Sequence, residues 1–371
     1  MNVSVRPFLA VAAVAASTSL LLTACGRAEQ PAGPSHAARG TGGFTVGVLM
    51  PDDNVTRYQH FDKPLIEKRI RELCGACTVV EANAQGDART QRQQLTGMLI
   101  NGARVLILDP VDRAAVRLSV QQAHDAGVPV ISYDRLADGP VSGYVTYDDY
   151  AIGRLQGQAL LRGMGERARG GRVVWLDSTT RPTTALPSRR LGAMSVLGGK
   201  VRIDTQHALT IPVPNVQDAY AAMAAAIATY GPDRIDGVYA VDDVVAAGAV
   251  SALKAARVTP LPPVVGQDAE LSAVRRILSG EQYMTVYKPY GPEADAAARM
   301  AVALGRGGKS DPIATHRVST STTKDIPAVS LTPVPVTAGD IKGTVVHDGM
   351  YTVKEICAPA LTAACRKAGL T

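Results

Sequence analysis

The residues best able to do chemistry stand where short apolar runs stop. Asp52 and Asp53 follow residues 44–50, Asp109 follows 104–108, and Asp134 with Arg135 closes the run 128–133. Asp177 and Asp242 follow 172–176 and 237–241, Asp268 comes just after 263–265, and Lys288 follows 284–287. Carboxylates accept hydrogen bonds from neighbouring hydroxyl groups, and Arg and Lys donate to ring and hydroxyl oxygens. Such charge-assisted bonds are strong and directional, so the set suits a neutral polyhydroxy ligand. A single Asp at such a point is explained by helix capping, the reading given to Asp112 and Asp243. Seven, spread over two series of runs, point to two halves of one polar cleft.

The elements that must position them follow from periodicity. Apolar positions 61, 65, 66, 70 and 73 give one helical face, and 95, 98 and 99 give another. Helical patterns at 114–126, 216–230, 244–256 and 269–278 separate the β-branched runs. Runs separated by helices imply parallel sheets covered on both faces. Two series imply an α/β protein of two doubly wound parallel-sheet domains. Ligands bind such sheets beyond the carboxyl ends of the strands, where the charged residues fall. The net charge is +6, with basic residues scattered rather than blocked, so nucleic acid is not an expected partner.

The chain ends add location. Arg6 and an Ala-rich apolar run, 8–22, precede Leu22-Thr23-Ala24-Cys25. That is a secretory signal over residues 1–24, too short to span a bilayer. Cys25 resembles the lipidated cysteine of a bacterial lipobox, which implies a lipid-anchored protein on the extracytoplasmic face of the membrane. Residues 25–42, rich in Gly, Ala, Pro and Ser, form a flexible tether. Cys74 with Cys77, and Cys357 with Cys365, are two local pairs that in an oxidising compartment read as disulfides. A redox CxxC requires a strand before it and a helix after it, and here the order is reversed. No metal is expected, because a zinc site requires both pairs to converge and no histidine stands at ligand spacing.

Arg57-Tyr58, Tyr133-Asp134-Arg135, the stretch Gly266-Gln267-Asp268-Ala269 and the run from Met284 to Pro289 resemble the bacterial D-xylose-binding protein family. Those are type I periplasmic sugar-binding proteins of ABC importers. The similarity runs from Phe44 to residues 345–349. The resemblance implies a three-strand hinge joining two lobes, 43–145 plus 288–332 and 146–287 plus 333–371. It implies ligand contacts from Arg57, the ring of Tyr58, Asp134, Arg135, Asp268 and Lys288. Asp242 stands where the family has Asn. Pro182 and Thr184 replace the Asp and Asn of a Gly-rich loop, with Thr184 kept as a contact. The second stacking Trp of the family would fall near Ile211-Pro212, where there is no aromatic residue. The implied partners are a monosaccharide, xylose or a related aldose, and an ABC permease; the alternatives are a sugar-sensing receptor subunit for a membrane signalling protein and a binding protein for a non-xylose polyol. The protein is expected to be monomeric and to use no cofactor. A nicotinamide dehydrogenase lacks its glycine fingerprint at 50–54, and no G-x-S-x-G or H-E-x-x-H motif occurs. Asp134 and Arg135 could instead pair with one another, Tyr58 could pack a helix start, and Lys288 could be a solvated hinge residue.

Overall fold

The computed structural model describes residues 42–52, 57–177, 185–209 and 215–370. The signal segment, Cys25, the tether through residue 41, Asp53, Pro182, Thr184, Ile211 and Pro212 lie outside them.

The first sheet is built from β1 (Thr45–Met50), β2 (Thr78–Asn83), β3 (Val105–Leu108), β4 (Val130–Tyr133) and β5 (Gly143–Tyr147). The second begins with β6 (Arg172–Leu176), β7 (Arg202–Asp204), β8 (Gly237–Ala240), β9 (Val264–Gln267) and β10 (Met284–Tyr287). The chain then returns to the first sheet with β11 (His316–Val318) and β12 (Ile326–Leu331), and finishes in the second with β13 (Val334–Val336). The strand orders are β11-β12-β5-β4-β3-β1-β2 and β13-β10-β9-β8-β6-β7. All pairings are parallel except β11 on β12 and β13 on β10. The five strands that open each domain thus share one arrangement, in which direction reverses between the first strand and the third. That reversal opens a crevice at the carboxyl ends, beside β1 and β3 in one sheet and β6 and β8 in the other.

Both faces of each sheet are covered. On the first, α1 (Lys63–Leu73) shares a core with a late helix, Tyr290–Gly305, while α2 (Ala88–Ile100) and α3 (Arg117–Asp125) fill the opposite face. On the second, α4 (Asp149–Met164) and α5 (Ala185–Leu197) pack opposite α6 (Val216–Tyr230) and α7 (Asp243–Ala255). Next come α8 (Leu271–Leu278) and that late helix, α9 (Tyr290–Gly305). The strands of both sheets are almost wholly apolar because both faces are buried, and an alternating pattern would leave polar side chains in a core.

Several elements escaped the periodicity. Strand β5, the edge strands β7, β11 and β13, and β12 between β11 and β5 were not expected, nor were α4, α5 and α9. Adding β5 and β12 moves Asp134-Arg135 from the end of the outermost strand to the end of the central one, β4. Helices α4 and α5 approach so closely that a Cβ at Gly153 would lie 1.9 Å from the Arg189 carbonyl oxygen. Cys74 is joined to Cys77, and Cys357 to Cys365. No helix among the described residues is long and apolar enough to cross a membrane.

Candidate ligand-binding cleft

Lys288 stands where the chain leaves β10 for α9, passing from the second sheet to the first. Its Nζ lies 3.0 Å from Asp134 Oδ1, at the end of β4, and 3.0 Å from Asp268 Oδ1, at the end of β9. The lysine side chain is 4% exposed and the two carboxylates 14% and 9%. One cation therefore ties a carboxylate of each domain at the point where the two sheets face each other.

Both carboxylates sit in left-handed backbone conformations, with φ of 53° at Asp134 and 93° at Asp268. Non-glycine residues adopt these only when their surroundings insist, at a cost of ~1–3 kcal/mol each. Here Asp134 N–H donates to the Val145 carbonyl, and its own carbonyl accepts from Tyr144 Oη and Thr146 Oγ1. Asp268 N–H donates to Val286 and its carbonyl accepts from Tyr290 Oη. The next residue, Ala269, donates its N–H to Thr285 Oγ1. Asp243 supports this turn from beneath. It is fully buried, accepting from Gln282 Nε2, Thr285 Oγ1 and the Glu270 N–H. The capping role expected of Asp243 belongs to Asp242, whose Oδ1 accepts from the Val245 N–H at the start of α7. Asp112 accepts from the Ala114 and Ala115 N–H groups ahead of α3.

Arg57 is 2% exposed and donates to Asp62 through Nε and Nη2, to Asp134 through Nη1 at 3.0 Å, and to Glu293 through Nη2 at 2.6 Å. It buttresses Asp134 from below rather than standing free. Burial pushes the Asp134 carboxyl up, but Lys288, Arg57 and Arg135 outweigh it and hold the group well below the usual carboxylate range. Asp268 is likewise lowered by Lys288 and Arg57 against burial, and Lys288 is raised by the two carboxylates. Glu293 goes the other way, with burial pushing it up to about 8 against the pull of Arg57.

Asp134 and Arg135 are partners of different groups. Arg135 donates to Tyr58 Oη at 2.9 Å and to the Pro110 carbonyl, and its guanidinium lies 3.7 Å from Asp109 and 3.9 Å from Asp52. Asp109 is fully buried, and burial pushes its carboxyl far up. Tyr58 is 2% exposed, with the guanidinium carbons of Arg57 and Arg135 over its ring at 5.5 and 5.8 Å.

The sequence of this chain carries the same signature. The periplasmic binding protein domain matches residues 46–309. The D-xylose-binding periplasmic protein of Escherichia coli is 31% identical over 344 residues, covering 91% of this chain and 99% of that protein. The chain belongs to the xylose-binding family of periplasmic binding proteins. A multiple sugar-binding periplasmic receptor of Rhizobium radiobacter is 28% identical, covering 84% of the chain and 92% of the receptor. Among solved structures, an ABC transporter solute-binding protein from Clostridium phytofermentans with bound β-D-glucose superimposes with a TM-score of 0.75 at 25% identity. It covers 84% of this chain and 99% of that one. As a member of the family, the chain is a monosaccharide-binding component of ABC transport and not an enzyme.

Of the positions that the family suggested, the structure gathers Arg57, Tyr58, Asp134, Arg135, Asp268 and Lys288 into one linked network, with Asp242 at the head of α7. Thr184 falls outside the described residues. Asp62 and Glu293, which hold Arg57, were missed, and so was the pair formed by Arg189 Nη2 and Asp149 Oδ1 at 2.6 Å, both largely buried. All four lie in or just before helices, where a charged residue reads as solvated. For Arg189 the available signal was Gly153 and Gly192, whose lack of side chains lets α4 and α5 close on each other. Trp175 is a core residue as expected, stacked on Tyr239 with ring centroids 3.9 Å apart.

Proposed function

We propose that this chain captures D-xylose or a related monosaccharide between its two domains and hands it to an ABC importer, as a lipoprotein held to the outer face of the cell membrane through Cys25. The observation that carries the reading is Lys288 between Asp134 and Asp268. A cation shared by one carboxylate from each domain is a junction that only an apposed pair of domains completes. Sugar hydroxyls arriving there meet ionised acceptors held in fixed backbone turns, with Arg135 alongside as donor, so little ordering remains at binding. Closure about the strand crossings selects the ligand-filled form for the permease. The lobes are residues 43–145 with 288–332 and 146–287 with 333–371. The relatives named for xylose and for multiple sugars support the ligand class.

The test is uptake of labelled D-xylose by cells with and without this chain, at sugar levels below those that other importers use. Loss of uptake on deletion, restored by the parent chain but not by Asp268→Asn, is expected. Unchanged uptake from cells whose purified protein still binds the sugar would assign the chain to sensing instead.

A further inference from the structure

Resting on that reading, we infer that the side of the hinge turned away from the cleft carries a second determinant of sugar affinity. It is an apolar groove beside Phe61, which narrows as the cleft opens and so favours the open protein.

Phe61 belongs to the first domain, at the entry to α1, and is half-buried. It packs nonetheless against the apolar cluster of the C-terminal tail, whose other described members, Tyr287, Val336, Ile341 and Tyr351 among them, all come from the second domain. Its ring centroid lies 5.7 Å from that of Tyr351, edge to face, and 5.4 Å from that of Tyr290 at the start of α9. Beside it the two domains leave a groove of about 610 Å³. Leu65, Gly291 and Pro292 wall it from the first domain, and Tyr287, Gly349 and Met350 from the second.

Tyr287 ends β10 and Lys288 follows it, and successive side chains along a strand point to opposite faces. Lys288 reaches Asp134 and Asp268 in the cleft, while Tyr287 joins the tail cluster. Cleft and groove therefore lie on opposite sides of one crossing. The β5-to-α4 crossing is tied to it, with Tyr147 Oη donating to the Pro289 carbonyl. Two bodies joined at such a pivot part on one side by approaching on the other. In this structure Lys288 bridges the cleft and the groove stands open. Opening the cleft brings Met350 toward Leu65 and Pro292 and removes apolar surface from water, which stabilises the open form. Sugar binding works against that burial. The affinity measured is that of the closed form scaled by its share of the free protein, so residues remote from the sugar set part of it.

A side chain wedged into the groove should then tighten sugar binding without touching the sugar. Gly291 is the place for it, because a Cβ built there meets nothing within 4 Å and a larger residue displaces no contact. The experiment is calorimetric titration of D-xylose into the full-length parent, Gly291→Trp and Gly291→Ala, each freed of carried-over ligand by unfolding and refolding. Small-angle X-ray scattering of each, with and without sugar, accompanies it. Gly291→Trp is expected to lower the Kd by about threefold or more, with Gly291→Ala within about twofold of the parent. The sugar-free Gly291→Trp protein should have a radius of gyration nearer the sugar-bound value than the parent has. Pro292→Trp, exposed on the same wall, gives the same readings should Gly291→Trp fail to unfold cooperatively. An unchanged or weaker Kd in the folded Trp variant would overturn the inference and leave the sugar-binding reading intact. Gly291→Ala matching Gly291→Trp would overturn it too, since the effect would then come from the backbone and not from filling the groove. A parent that binds no D-xylose would overturn the reading beneath. Scattering then decides the inference alone, and a sugar-free Gly291→Trp protein as extended as the parent would sink it.

Discussion

Replacing Lys288 with methionine keeps most of the side chain's apolar length and removes the cation that joins the domains. Asp134 then retains Arg57 at 3.0 Å, whereas Asp268 retains the amide of Gln267 at 2.8 Å. Removing one partner from a buried ion pair costs ~3–5 kcal/mol, because the survivor stays desolvated. The Arg57 contact to Asp134 places this variant near the lower end, at about 3 kcal/mol. For a chain of this length that lowers Tm by roughly 4 °C at pH 7. Both carboxyl groups have depressed folded pKa values. Their stabilisation is therefore present above the unfolded carboxylate value near ~3.9 and fades as pH falls through the folded value. The deficit of Lys288→Met should be full at pH 7 and shrink below about pH 4, where the unpaired carboxyl of the variant takes up a proton. Thermal and urea unfolding at both pH values, without ligand, is the assay. A Tm within about 1 °C of the parent at pH 7, or an equal deficit at both pH values, would refute the buried-junction argument.

Three further outcomes follow from other parts of the network. Glu293 has a folded pKa of about 8 against an ordinary value of 4.5, so the folded state holds the extra proton and stability declines as pH rises between those values. Glu293→Gln keeps an acceptor for Arg57 and removes that decline; its urea midpoint should gain on the parent steadily from pH 5 to 8, and a constant difference would count against it. Arg189→Met leaves Asp149 buried without its guanidinium partner and should cost about 3 kcal/mol at pH 7, read from urea unfolding, with recovery in the double variant with Asp149→Asn. If Cys25 carries the proposed lipid, Cys25→Ser should move the protein from the membrane to the soluble exported fraction on cell fractionation; retention at the membrane would sink the lipid assignment.

The sequence exposed the parts of this fold whose physics is local. Strands β1, β3, β6 and β8 are short apolar runs ended by a charge, and their order with intervening helices was enough for two parallel sheets. Strands β11, β12 and β13 could not be read that way: they are short or mixed, and two of them are sheet edges where one side needs no apolar cover. Helices α4 and α5 hide behind small residues that pack through backbone contact rather than a side-chain stripe. Within the cleft, strand-end position and resemblance found Asp134, Asp268 and Lys288. The partners of Arg135 were out of reach, since adjacency in sequence suggested Asp134 while the backbone turn at Asp134 directs the two side chains to different neighbours. Asp62 and Glu293 belong to helices far apart in the chain, and only the fold reveals that both meet Arg57.

We propose that Asp134 and Asp268, one from each domain, hold a monosaccharide at the Lys288 junction. The deciding measurement is calorimetric titration of D-xylose into the parent protein and into Asp134→Asn and Asp268→Asn. One-to-one binding by the parent, weakened at least a hundredfold in each variant that still unfolds cooperatively, is the expected result. Parent-like affinity in either folded variant would contradict it.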